Sequence, residues 1–203
     1  MIRSPLMPFA LALAFTLLTG IAVAMEPHFA GDVAATKAVQ SITPSPDGWA
    51  VQVSRLAPAP GKYYVMAIVL TAAFFVGGWR GLALIAAFLM LEQYGAESTK
   101  EIFKRPRPSR ELVATFGNFS GYTFPSTTIT FFSVTFGALG IVAMLNRNAP
   151  MRQPVMWISF MMVFLGCLAR VALGAHWPSD VLLTSLICMV WIWAAARGVL
   201  GRA

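Results

Sequence analysis

The sequence predicts an all-helical polytopic membrane protein: one six-helix transmembrane bundle spanning residues 1–203. Three observations point there. Hydrophobic residues make up 58% of the 203 residues and charged residues 11%, against about a quarter charged in an ordinary soluble domain. The apolar residues are gathered into blocks long enough to cross a bilayer. Basic residues collect at the ends of those blocks, where they set topology.

The blocks follow in order. The first covers about 5–24, follows Arg3 and ends in Ala22-Val23-Ala24. That ending also suits a signal-peptidase site; a retained helix is favoured because the bundle would otherwise lack a member. Either way the chain next emerges outside the cytoplasm. Residues 25–62 are polar, with prolines at 44, 46, 58 and 60. A short amphipathic helix is expected over Asp32–Ile42 at the interface, and His28 reads as a surface histidine. The second span is about 63–79, closing on the tight turn Gly77-Gly78-Trp79-Arg80. The third, 81–99, carries Glu92 and Glu97 towards its far end, so that end is wet or inside the bundle. A basic loop with two prolines follows to Phe124. The remaining spans are about 126–145, 155–173 and 180–199. Cys167 and Cys188 lie within apolar runs and read as buried hydrophobes, with neither disulfide nor metal-ligand spacing.

Six crossings place both termini on one side, together with Arg3, Arg80, Arg147, Arg152, Arg197 and Arg202 and no acidic residue in those regions. The positive-inside rule makes that side cytoplasmic. The loop from Lys100 and the turn at His176 then share the opposite face. The formal net charge of +7 is thus assigned to topology and to anionic lipid, not to nucleic acid.

Two clusters could do chemistry on that outer face. In ARVALGAHWPSD, His176 and Asp180 are four residues apart, and Arg170 stands just before them. A carboxylate on one imidazole nitrogen fixes the tautomer and frees the other as base or nucleophile. Alternatively, His176 is an interfacial residue and Asp180 a helix cap. In KEIFKRPRP, Lys100 and Arg107 can grip phosphate oxygens, and Pro106 and Pro108 stiffen the loop. A basic patch facing headgroups is the alternative, and it accounts well for Lys104, Arg105 and Arg110. Between the clusters, Ser126 or Thr127 caps the fourth helix, whose exposed N–H groups can also bind an anion.

Lys100, six residues, then Arg107-Pro108 resembles the first signature of the type 2 phosphatidic acid phosphatase superfamily. Pro125-Ser126 resembles the start of its second, Pro-Ser-Gly-His. Arg170, five residues, His176, three residues, Asp180 resembles its third. The resemblance implies a membrane lipid phosphatase with a multi-pass fold. In it His176 attacks phosphorus, Asp180 orients it, and Lys100, Arg107 and Arg170 hold the phosphate oxygens while Ser126 adds a hydrogen bond. Thr127 and Thr128 join the substrate-binding set. No metal and no cofactor are implied. The partners are a lipid phosphate or diphosphate and the bilayer, and the location is a cell (inner) membrane with the site facing the periplasm or exterior.

Three positions depart from the pattern. Ala169 stands for a serine, Thr127 for a glycine and Thr128 for the histidine that protonates the leaving oxygen. General acid catalysis contributes roughly a hundred- to ten-thousand-fold, and a threonine hydroxyl cannot supply it. The function expected is therefore removal of phosphate from a lipid (di)phosphate headgroup through a phosphohistidine, with an anhydride such as a polyprenyl diphosphate needing least help. Another residue (Glu97, Glu111, Tyr122 or His28) could supply the proton. The alternative is an impaired member that binds lipid phosphate as a transport or assembly component.

Overall fold

The computed structural model describes residues 6–95 and 98–200; Arg3, Glu97 and Arg202 lie outside them. Among the described residues all regular structure is helical. Helix α1 is Met7–Met25, α2 Asp32–Ile42, α3 Pro46–Ser54, α4 Gly61–Gly95 and α5 Lys100–Phe103. Helix α6 runs Thr127–Leu145, with a π-helical stretch at Ser133–Gly137, α7 Arg152–Ala172 and α8 Pro178–Leu200. Five of these are long and apolar enough to cross a membrane: the chain is a multi-pass membrane protein.

The 35-residue α4 is two helical arms joined by a bend. Gly78 has φ 61° and ψ −161°, a conformation an L side chain would strain, and the chain folds back there. Lys62 Nζ consequently lies 3.0 Å from Glu92 Oε2 and 2.9 Å from Gln93 Oε1, which sets the far ends of the two arms side by side. Each arm of about 17 residues rises about 25 Å, close to the hydrocarbon thickness. The second and third expected spans are therefore one bent helical run.

Helix α6 is central, with 72% of its apolar stretch buried against 22% for α1. Phe131, Phe132, Ala138, Val142 and Ala143 of α6 pack with Val69 and Ala73 of α4 and Ile192 and Ala196 of α8. Among lipid tails, such contacts rest on close packing rather than on water exclusion. The ring of Phe132 leaves no room for a side chain on Gly166 of α7. Helix α1 lies outside α8, where Trp191 Nε1 donates to Thr16 Oγ1 at 3.0 Å.

The bundle has two unlike ends. At one, Asn146 Nδ2 donates to Val76 O at 2.7 Å, which joins the α6–α7 loop to the bend of α4. At the other lie α2, α3, α5, the loop 104–126 and the turn before α8. Gln40 of α2 fastens this end, donating to Ala114 O at 2.7 Å and Ala172 O at 3.2 Å. Helix α2 has the bounds expected of the amphipathic helix, whereas α3 was not anticipated.

Candidate active site

The site is built where α7 turns into α8. Gly174 has φ 64°, and a side chain there would strike the Ala114 carbonyl; glycine lets the loop 104–126 lie directly on the turn. Phe116 N–H donates to Leu173 O at 2.9 Å, locking the two together. Pro178 then opens α8, a position where its missing N–H costs nothing. Trp177 is 2% exposed, and its indole donates to Pro106 O at 3.2 Å. The turn leaves His176 facing into protein, 2% exposed.

His176 does not meet Asp180 directly, as the four-residue spacing suggested. Nδ1 and Oδ2 are 4.0 Å apart, with the Thr123 hydroxyl between them. Thr123 Oγ1 donates to Asp180 Oδ2 at 2.6 Å and lies 3.1 Å from His176 Nδ1. A hydroxyl has one proton to give. With that proton on the carboxylate, Thr123 accepts from Nδ1–H, so the neutral ring keeps its lone pair on Nε2. Asp180 also accepts the Trp177 N–H at 2.9 Å. It thereby serves as the reciprocal helix cap of the alternative reading as well.

Arg105 overturns its sequence reading as a headgroup-facing cation. It is 1% exposed and bridges two carboxylates, donating through Nη1 to Asp180 Oδ1 and through Nη2 to Asp32 Oδ2 at 3.2 Å. Its Nη1 also reaches Ser179 Oγ at 3.0 Å, and its Nε reaches the Glu26 carbonyl at 3.3 Å. Asp32 in turn accepts from Ser179 Oγ at 2.6 Å and Ser179 N–H at 2.9 Å. A charge pair this deep persists only when its remaining donors and acceptors are also satisfied. Here α2, the basic loop and α8 supply them together. The other two cations of that patch, Lys104 and Arg110, are exposed; Arg110 Nε donates to Thr115 Oγ1 at 3.0 Å within its own loop.

On the Nε2 side of His176 stand Ser126 Oγ at 3.3 Å and Arg107 Nη1 at 3.4 Å. Ser126 begins α6 without capping it by its side chain, contrary to expectation; its hydroxyl turns to the imidazole, and its N–H donates to Thr184 Oγ1 at 3.1 Å. Arg107 is steered by carbonyls, donating to Ala175 O at 2.6 Å, Ser120 O at 2.9 Å and Gly121 O at 3.1 Å. The Arg170 guanidinium lies 5.2 Å from the centre of the Phe119 ring, and its Nε is buried with no hydrogen-bond partner. Lys100, on α5, is 9% exposed.

These cations act on the imidazole. Burial first, then the charges of Arg170, Arg107 and Lys100, hold His176 well below the ordinary imidazole value of 6.5. Both disfavour a second positive charge, so the ring is neutral across the physiological range.

The spacing-derived residues Ser126, Arg107, His176 and Asp180 are thus joined by direct contacts or by one hydroxyl, and Lys100 and Arg170 lie within electrostatic reach. Thr127 and Thr128 instead line an adjoining cavity of about 490 Å³ with Arg170, Phe119, Phe131 and Leu173. Of the other proton-donor candidates, His28 is half-buried against Trp177, ring centres 5.0 Å apart, rather than a free surface residue. Glu111 is exposed and Tyr122 half-buried, and neither hydrogen-bonds to His176. Ala169 is fully buried against Ala50 of α3 and Leu173, an apolar contact that suits alanine where the signature has serine.

Sequence reasoning missed Thr123, Asp32, Ser179 and the role of Arg105. The sequence carries no local signal for Arg105, whose partners Asp32 and Asp180 lie 73 and 75 positions away.

Comparison with known proteins bears on the fold and the family. Residues 80–202 match the PAP2 superfamily, and no curated protein sequence matches the chain. Among solved structures, the chain resembles the first transmembrane PAP2 type phosphatidylglycerolphosphate phosphatase from Bacillus subtilis. The TM-score is 0.68 at 20% identity, over 92% of this chain and 94% of that one. It also resembles Aquifex aeolicus LpxE, with TM-score 0.64 at 20% identity over 83% of this chain and 96% of the other. With the matched region covering the loop from Lys100, the start of α6 and the α7–α8 turn, this chain belongs to the PAP2 superfamily.

Proposed function

We propose that the protein is an integral-membrane lipid phosphatase or phosphotransferase that removes the terminal phosphate of a lipid diphosphate through a phosphohistidine at His176. The observation that carries this reading is the neutral imidazole whose Nε2 faces Ser126 at 3.3 Å and Arg107 at 3.4 Å. Its Nδ1–H is held through Thr123 by Asp180. This is a nucleophile with an orienting partner behind it and cations in front.

In the first step Nε2 forms a bond to the terminal phosphorus. The bond from phosphorus to the bridging oxygen breaks, and its electron pair leaves on the lipid monophosphate. Lys100, Arg107 and Arg170 take the equatorial oxygens and spread the charge of the transition state. Asp180 stabilises the imidazolium that develops. In the second step water attacks phosphorus, and the P–N electron pair returns to Nε2. Both hydrogens of the water end on oxygens of the released phosphate, one staying on the attacking oxygen and the other passing to a neighbouring one. An acceptor alcohol in place of water would make the same chemistry a transfer.

Thr128 sets the leaving group. Its hydroxyl cannot protonate a departing alkoxide, whereas phosphate departs from an anhydride without a proton. A lipid substrate is supported by the similar structure from Bacillus subtilis, a transmembrane phosphatidylglycerolphosphate phosphatase. An extracytoplasmic site is supported by Arg80, Arg147, Arg152 and Arg197, all at the opposite end of the bundle; a cell (inner) membrane follows from the family's usual setting.

A panel of lipid mono- and diphosphates tests this with purified protein. Phosphate release from a diphosphate, loss of that release in His176→Ala, and a gain of monophosphatase activity in Thr128→His are expected. No release from any member of the panel by folded protein overturns the reading. It would favour instead the reading that Thr128 itself suggests: a lipid-phosphate-binding component of transport or assembly.

A further inference from the structure

The cavity beside Thr127 and Thr128 contains polar groups that the phosphohistidine chemistry does not use. Ser54, the last residue of α3, and Arg55, just after it, both line that cavity, opposite Arg170. Ser54 Oγ and Arg170 Nε are buried without a hydrogen-bond partner. Two orphaned buried donors on residues that line one cavity each carry a desolvation cost, which an acceptor brought to them by a small side-chain rotation would remove. Arg55 is exposed at the rim, and its guanidinium makes no hydrogen bond or ion pair among the described residues. The cavity's one carboxylate, Glu92, is already paired with Lys62 at 3.0 Å, so the uncompensated charge there is positive. The rest of the lining is largely apolar, including Val51, Ala57 and Phe131.

Helix α3 is held rigidly enough to place these groups. Ala50 packs against Ala169 of α7 and Leu173 just past its end, one residue before and three after Arg170. Contact with α3 thus fixes the backbone that carries Ser54 and Arg55 relative to that of Arg170.

We infer that Ser54 and Arg55, with Arg170 shared between the two phosphates, form a second phosphate subsite that seats the lipid-bound phosphate of a diphosphate substrate while the terminal phosphate lies at His176. The inference deepens the proposed function and rests on it. As the anhydride bond breaks, the electron pair arrives on an oxygen of the lipid-bound phosphate. A fixed guanidinium and a hydroxyl donor at that oxygen stabilise it where the family's histidine would have supplied a proton. A lost acid and an added cation on the leaving-group side answer the same chemical need, but only for a phosphate leaving group. The apolar lining accommodates the first carbons of the lipid.

The test compares the full-length wild-type protein with Arg55→Gln, Arg55→Lys and Ser54→Ala. The readout is the ratio of kcat/KM for a lipid diphosphate to that for its monophosphate. A charge-assisted hydrogen bond is worth about a tenfold to hundredfold change. Arg55→Gln should lower the ratio by at least about tenfold, Ser54→Ala by less, and Arg55→Lys should restore part of it. An unchanged ratio in both Arg55→Gln and Ser54→Ala, with diphosphate turnover intact, overturns the subsite and leaves the enzyme standing. Calorimetric binding of inorganic pyrophosphate against orthophosphate to the His176→Ala protein separates the two claims. Preference for pyrophosphate that Arg55→Gln abolishes supports the subsite even if no lipid is hydrolysed. Equal affinity for both anions, unaffected by Arg55→Gln, overturns it.

Discussion

The two ends of the bundle both carry arginines, yet they use them oppositely. At the bend of α4 and the α6–α7 loop, the cations satisfy local groups. Arg152 donates to Ala143 O at 3.0 Å and Met144 O at 3.3 Å, the last carbonyls of α6. Arg80 lies over Trp79 and Arg197 over Trp193, pairings suited to a membrane–water boundary. None of these arginines converges on another. At the other end Lys100, Arg107 and Arg170 converge on one imidazole, and Arg105 is buried between two carboxylates. Positive charge beside a membrane therefore has two meanings. Separated, it satisfies local carbonyls and rings. Converging, it forms a site whose cost an anion and a fixed carboxylate partner offset.

Breaking the buried end has the largest expected effect. Arg105→Met leaves Asp32 and Asp180 buried and unpaired, which should cost about 3–5 kcal/mol of stability. Thermal unfolding in detergent checks this. Adding Asp32→Asn to the same protein should recover part of the loss, because one orphaned charge is then gone.

A smaller effect is expected at the relay. Thr123→Val removes the hydroxyl between His176 and Asp180, and kcat should fall about tenfold to hundredfold, the worth of one buried hydrogen-bonded link. Thr123→Ser should restore it in steady-state assays. Equal rates for Val and Ser would show that the hydroxyl only fills space.

The pH profile sharpens the contrast further. On the proposed mechanism His176 is neutral when it attacks, and its proton affinity is depressed well below 6.5 by burial and the three cations. Activity should therefore persist as pH falls through 6.5, and its acid limb should lie lower. For stability the sign is the same: below 6.5 the unfolded chain binds a proton that the folded site refuses, so this group's contribution is lost as pH falls. Neutralising a converging cation, as in Arg170→Gln, should move the limb upward. The smallest effect belongs to the orienting end, where Arg80→Ala or Arg197→Ala should leave turnover within about twofold of wild type.

How far the sequence could be read follows the same division. The apolar blocks were legible because a bilayer imposes a length on them, and the bend of α4 because Gly77-Gly78 interrupts one. The amphipathic α2 could be read from its pattern. Helix α3 could not: nine residues between prolines show no apolar stripe, and its docking rests on Ala50 meeting Ala169. In the site, the resemblance to the three family signatures implied Lys100, Arg107, Ser126, Arg170, His176 and Asp180. Arg105 and Thr123 escaped because a buried arginine and a headgroup-facing one look alike in sequence. Their partners lie 73 and 57 positions away, a distance only the fold closes.

If the converging end is a phosphoryl-transfer centre, His176 must carry the phosphate between the two steps. Rapid quenching of the purified protein with a lipid diphosphate radiolabelled in its terminal phosphate tests this directly. An acid-labile, base-stable label that maps to His176 and is absent from His176→Ala is expected. Hydrolysis of the lipid without label on His176, or the same label in His176→Ala, would contradict it.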